Sequence, residues 1–250
     1  MSNSALATYT LISPNRNSPR NHAIDRVTVH CFVGQVTAAR GCAVFQPTSK
    51  QASCNYVVGC DGSIGLCVEE KDRSWCSSSR ENDNRAITIE VASDTVEPYR
   101  VTNLAYWTLL DLLTDICKRN GKDTLLWFWD KEKTLNYTPK ANEMVMTVHR
   151  WFANKSCPGA YLYGLHSEIA NLVTHRLQNG AQFTPYLVRV SIPDLYIRKG
   201  AGTNYGNNGF CPPGVYTIIG EANGRGASKW GRLKSGAGWI SLDYVEVLKK

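Results

Sequence analysis

Near residue 180 the spacing of apolar residues changes character, and no other feature limits the possible folds of this chain as tightly. Before that point, short β-branched runs alternate with stretches of helical period. Residues 26–33 (RVTVHCFV) alternate and predict a strand. The segment 54–68 (CNYVVGCDGSIGLCV) reads as two strands joined at Asp61-Gly62, a strong hairpin signal. AITIEVA at 86–92 predicts a buried strand. Leu104, Trp107, Leu110, Leu113, Ile116 and Cys117 share one helical face between Thr102 and Arg119, closed by Asn120-Gly121. Further helices are expected near 34–43 and from Ala160 to Gln178, with a polar loop over 73–85. Helices interspersed with strands predict an α/β domain over 1–178. Residues 179–185 (NGAQFTP) read as a linker, and 186–250 holds short strands punctuated by glycine. Those strands are expected at 187–190, 195–200, 215–220, 230–233 and 238–241, and five in so short a segment suggest a small barrel.

Charge and cysteine usage narrow the partners. A net charge of +7 suggests an anionic partner such as nucleic acid, anionic lipid or bacterial cell wall. The basic residues are scattered, with no run dense enough for a nucleic-acid arm, so nucleic acid is not expected. No window approaches the ~18 apolar residues of a membrane span, and no membrane insertion is expected. The first residues lack a charged stretch followed by an apolar one, so a secretory signal is not expected either. Nine cysteines cannot all pair within one chain. They predict synthesis in a reducing cytosol, with most thiols free and buried as small hydrophobes. Cys54, Cys60, Cys67 and Cys76 are regularly spaced, but no histidine completes a metal set, and buried thiols are the expectation there.

The segment HRWFANKSCPG, from His149 to Gly159, carries the strongest chemical signal. His149 and Cys157 stand eight positions apart, and Lys155 precedes the thiol by two. Far upstream, His30 ends an alternating apolar run. Two imidazoles and one thiolate give three zinc ligands and leave one tetrahedral position open, the arrangement of catalytic rather than structural zinc. Cys157 lies in a turn at a helix start, which favours a thiolate. Each residue alone also suits a duller role: a bonded core histidine, a buried thiol. Glu90 lies within an apolar strand, where an unpaired carboxylate is costly. It either faces a cavity or cation, as a general base would, or sits on the solvent face of an edge strand. Lys155 is a candidate oxyanion stabiliser or simply a solvated cation.

His30 in VTVHC, the CNYVVGCDG hairpin, Trp75 in DRSW, AITIEV and HRWFANKSCPG occur in an order that resembles the N-acetylmuramoyl-L-alanine amidase type 2 family, whose fold is shared with peptidoglycan recognition proteins. The resemblance covers roughly residues 24–176 and implies a mixed central sheet flanked by helices. It implies a Zn²⁺ cofactor on His30, His149 and Cys157, with Glu90 and Lys155 as catalytic residues. Trp75 and Asn55 are the implied substrate contacts, although packing is an equal role for Trp75. Some relatives carry a catalytic tyrosine where this chain has Cys54, which shifts the catalytic role toward Glu90. The segment 186–249, above all GWISLDYV, resembles bacterial SH3-like domains attached to wall hydrolases. Tyr196, Arg198, Tyr205 and Trp239 are its candidate wall contacts, or members of a small core.

Together these resemblances imply an endolysin of phage or prophage type. It would be made in the host cytoplasm, released at lysis, and would cut the amide between N-acetylmuramic acid and L-alanine in Gram-positive peptidoglycan. Two rivals belong to other classes. One is a non-catalytic peptidoglycan-binding protein on the same fold. The other is a wall peptidase using a thiol such as Cys31 or Cys76, or a glycosidase, which would need two carboxylates across a cleft.

Overall fold

A computed structural model describes residues 2–178 and 186–249, so the expected linker 179–185 lies outside the described residues. The chain divides into two compact units, Met1–Gly180 and Ala181–Lys250.

The first unit is built on nine strands and five helices: β1 (Tyr9–Thr10), β2 (Arg16–Asn17), β3 (Arg26–Cys31), α1 (Ala38–Val44), β4 (Tyr56–Val58), β5 (Ile64–Leu66), β6 (Arg73–Ser74), α2 (Arg80–Arg85), β7 (Ala86–Val91), α3 (Asn103–Arg119), β8 (Thr124–Leu126), α4 (Lys131–Asn136), β9 (Glu143–Thr147) and α5 (Gly159–Gln178). Seven strands form one mixed sheet in the order β1-β5-β4-β7-β3-β9-β8, while β2 and β6 pair separately. Only β4 and β5 run antiparallel in the larger sheet. Their turn is the Asp61-Gly62 hairpin: Gly62 takes φ +79°, which a side chain would strain, and Asp61 accepts from the Ser63 amide at 3.1 Å.

Strand alternation sorts the side chains of this sheet into a core and a site. Val27 and Val29 of β3, Ile87, Ile89 and Val91 of β7, and Met144 and Met146 of β9 join the core with α3 and α5. Helix α3 contributes Leu109, Leu110, Leu112, Leu113 and Ile116, all fully buried, and Thr102 caps its first turn. Apart from Val145, the intervening residues are polar: Thr28 and His30, Thr88 and Glu90, Thr147. They are covered in part by segment 73–85, which the sequence predicted to be a loop. The structure forms β6 and α2 there, the helix N-capped by Ser79. Helix α2 (RENDNR) has no apolar stripe, so periodicity could not reveal it.

The second unit is a seven-stranded, wholly antiparallel sheet: β10 (Tyr186–Val190), β11 (Leu195–Arg198), β12 (Asn207–Cys211), β13 (Gly214–Gly224), β14 (Ala227–Leu233), β15 (Trp239–Ser241) and β16 (Val245–Lys249), in the order β12-β11-β15-β14-β13-β10-β16. Five strands were expected; β12 and β16 are additional. Val188, Val190, Ile197, Ile218, Leu233 and Ile240 form its own core. No described helix is long and apolar enough to cross a membrane.

Candidate metal centre

The parallel register of β3 and β7 sets His30 beside Glu90 near the strand ends. His149 follows β9 in a single 3₁₀ turn, His149–Trp151, and Cys157 precedes α5. One ligand atom from each of His30, His149 and Cys157 lies within 4.8 Å of the others. The His30 and His149 rings meet edge-on, with centroids 5.1 Å apart. His30 Nδ1 lies 3.4 Å from Cys157 Sγ. Ligands around tetrahedral zinc, with bonds of about 2.0–2.3 Å, stand roughly 3.3–3.8 Å apart, so this separation fits a shared cation. His149 Nε2 lies 2.9 Å from Ser78 Oγ, leaving Nδ1 for a metal, and a ligand imidazole held through its second nitrogen is the usual supporting contact. The donor set therefore fits a thiophilic divalent ion.

Burial and neighbouring groups set the protonation of these donors, and for Cys157 they oppose the thiolate that its turn position suggested. Burial first, then the neighbouring His149, lowers the His30 pKa to about 3, so the ring is neutral and able to ligate. Burial, then the charge of Lys155, also lowers His149. Contact with the Cys31 thiol, then burial, raises Cys157, so without a cation the thiol keeps its proton. Glu90 is raised to about 8, chiefly by burial. Its Oε2 is buried with no hydrogen-bond partner among the described residues, while Oε1 lies 3.9 Å from Cys76 Sγ.

A buried polar layer supports the centre. Asn82 Nδ2 donates to Thr28 Oγ1 at 2.9 Å, Asn82 Oδ1 accepts from Thr147 Oγ1 at 3.1 Å, and the two threonine hydroxyls are 2.7 Å apart. The Asp83 carboxylate accepts from the amides of Cys76 and Ser77, fixing the segment that carries Ser78. Arg150 holds the Cys157 loop: its backbone N–H and its Nε donate to the Cys157 carbonyl, its Nη2 donates to the Ser156 carbonyl, and its guanidinium covers the Tyr163 ring at 4.5 Å.

The remaining sequence candidates fall differently. Lys155 is exposed on the loop between His149 and Cys157. Trp75 is half-buried, with its indole N–H donating to Asn17. Asn55 corrects an expectation: it is fully buried, donates to the carbonyls of Val68 and Glu69 and accepts from the Thr88 amide. It therefore pins the sheet and offers a substrate nothing. Tyr56 is likewise buried, its hydroxyl spent on Glu70. In the second unit, Tyr196 and Arg198 line a groove of about 490 Å³ together with Asp194, Thr203, Trp230 and Tyr244. Tyr205 is exposed, whereas Trp239 is buried, which removes it as a wall contact. Sequence inspection missed Ser78, whose partner is 71 positions away, and Arg150, and it weighed Cys76 only as a spaced thiol or a rival nucleophile.

A family model described as N-acetylmuramoyl-L-alanine amidase matches residues 20–160. No curated protein matches in sequence. Among solved structures, the chain is similar to a mutant endolysin from Bacillus subtilis (15% identity, 66% of this chain and 97% of that one, TM-score 0.47). It is also similar to the Ph2119 endolysin of a Thermus scotoductus bacteriophage (16%, 62% and 89%, 0.44) and to the Staphylococcus aureus hydrolase AmiA with its ligand (13%, 69% and 84%, 0.44).

Proposed function

Because the chain belongs to the N-acetylmuramoyl-L-alanine amidase family, we propose that it is a zinc-dependent peptidoglycan hydrolase of endolysin type. It cleaves the amide between the lactyl group of N-acetylmuramic acid and L-alanine of the stem peptide, in Gram-positive walls. The observation that carries this is the convergence of His30, His149 and Cys157 donor atoms beside the buried carboxyl of Glu90.

Zinc on those three residues would supply a Lewis acid for the scissile carbonyl and acidify the attacking water. Glu90 takes the proton from that water and returns it to the departing amine of L-alanine, so the proton count closes within one turnover. Lys155 offsets negative charge growing on the carbonyl oxygen. Trp75 borders the same segment as Ser78 and contacts the sugar–peptide substrate. Ser78 and Arg150 orient His149 and the Cys157 loop.

The second unit acts as an SH3-like wall-binding module. Tyr196, Arg198 and exposed Tyr205 are its contacts, supported by the groove they adjoin and by the net positive charge facing an anionic wall. The test is metal content against turnover. Purified protein should carry zinc, lose muramyl-peptide hydrolysis on chelation and regain it with zinc. Cys157→Ser should lose activity and the ion held between His30 and His149 while remaining folded. Full activity in thoroughly chelated protein would refute the proposal and favour a thiol peptidase.

A further inference from the structure

A second set of donors adjoins the first. One nitrogen of His30, the Cys76 sulfur and a Glu90 oxygen lie within 4.8 Å of one another. The fold builds this set deliberately from separate segments. His30 and Glu90 are cross-strand partners, and Cys76 arrives from the stretch after β6, fixed by the Asp83 carboxylate on its amide at 3.0 Å.

Three observations point to a cation here. Glu90 Oε2 and His30 Nε2 are both buried without a hydrogen-bond partner among the described residues, an arrangement that costs free energy unless something completes it. Cys76 Sγ stands 3.9 Å from Glu90 Oε1, a long contact for a thiol–carboxylate hydrogen bond. Finally, Cys76 differs from the other thiols nearby. Cys42, Cys54 and Cys67 are fully buried among Phe45 and Val57, where a small apolar side chain suffices, whereas Cys76 sits at the edge of that cluster and faces the carboxyl. Thiolate, imidazole and carboxylate together suit zinc, cadmium or cobalt(II) rather than magnesium or calcium.

We propose that Cys76, Glu90 and His30 form a second site for a thiophilic divalent cation, and that filling it switches hydrolysis off. This rests on the function proposed above, in which Glu90 is the general base and the first ion sits on His30, His149 and Cys157. His30 serves both ions, Nδ1 on the side of Cys157 and Nε2 for the second site. Binding the second ion releases the Cys76 thiol proton, the His30 Nε2 proton and, at neutral pH, the Glu90 carboxyl proton to solvent. A carboxylate engaged on that ion no longer accepts the proton of the attacking water. Excess zinc would thereby keep the enzyme silent, and dilution into zinc-poor surroundings would release it.

The experiment is a cobalt(II) titration of full-length, metal-free protein, reading bound ions by equilibrium dialysis, thiolate-to-cobalt absorption, and hydrolysis of a soluble muramyl peptide at each ratio. Two ions per chain are expected, the first restoring hydrolysis and the second lowering it at least tenfold. Cys76→Ser should bind one ion and escape inhibition by excess metal. Glu90→Gln should also bind one, which covers the case in which Cys76→Ser fails to fold. Cys157→Ser should retain the absorption that depends on Cys76. One ion per chain in the unaltered protein, with absorption lost only in Cys157→Ser, would overturn the second site and leave the first intact. Inhibition by excess metal that persists in Cys76→Ser would also overturn it. No binding by folded protein would overturn both sites.

Discussion

His30 and Glu90 face each other across β3 and β7, and burial drives their protonation in opposite directions. The folded-state pKa of His30 falls from 6.5 to about 3, so the unfolded chain binds the extra proton and stability is lost as pH falls through that window. His166, buried and lowered to about 4, acts in the same sense. Glu90 rises from 4.5 to about 8, so the folded chain holds the extra proton and stability is lost as pH rises through that range. With two such histidines against one carboxyl, chelated protein should be most stable near pH 6.5 and lose stability on either side, and added zinc should move that maximum upward; denaturant unfolding across pH checks this. Glu90→Gln should lower the turnover number by about 10²–10⁴-fold while the first zinc ion stays bound, measured by single-turnover assay and metal analysis. At this scale the sequence offers His30 and Glu90 as candidates by their setting in apolar runs and His149 and Cys157 by their spacing, and the fold draws these donors together. Residue type does not report burial, which is why Asn55 reads as a contact and why Trp239 takes the core role of its two readings; Ser78 escapes notice because its partner His149 is distant in sequence.

Elements explain why the donors stay in place. Alternation along β3, β7 and β9 sends one set of residues to α3 and α5 and the other to the polar layer under the centre. Asn82, on α2, ties that layer together through Thr28, Ser77 and Thr147. Asn82→Ala should cost about 1–3 kcal/mol by leaving buried hydroxyls unpaired, read as a lower denaturant midpoint at unchanged slope. The long helices and the buried strands were legible because they carry strong periods. Helix α2 is polar throughout, and β12, with its run of asparagine and glycine, lacks the β-branched alternation that marks a strand. Short elements like these are fixed by tertiary pairing, which no local pattern announces.

Over the whole molecule, the change of period near residue 180 corresponds to two units with separate cores. The second displays Tyr196 against Phe210, ring centroids 4.7 Å apart, with the Arg198 guanidinium over the tyrosine at 5.2 Å. In the full chain, Tyr196→Ala should weaken sedimentation with purified walls by roughly tenfold, a change of about 1.4 kcal/mol, while hydrolysis of a soluble muramyl peptide is unaltered. The separation of effects matters, because it distinguishes tethering from chemistry. The proposed chemistry is narrower than either unit, the opening of one amide of the wall. Digesting purified Gram-positive peptidoglycan, with and without a chelator, and following new amino termini beside new reducing ends tests it most directly. The account predicts new N-terminal alanine, no new reducing ends, loss on chelation and recovery with zinc. New reducing ends, a different amino terminus, or intact wall after treatment with folded, zinc-loaded protein would contradict it.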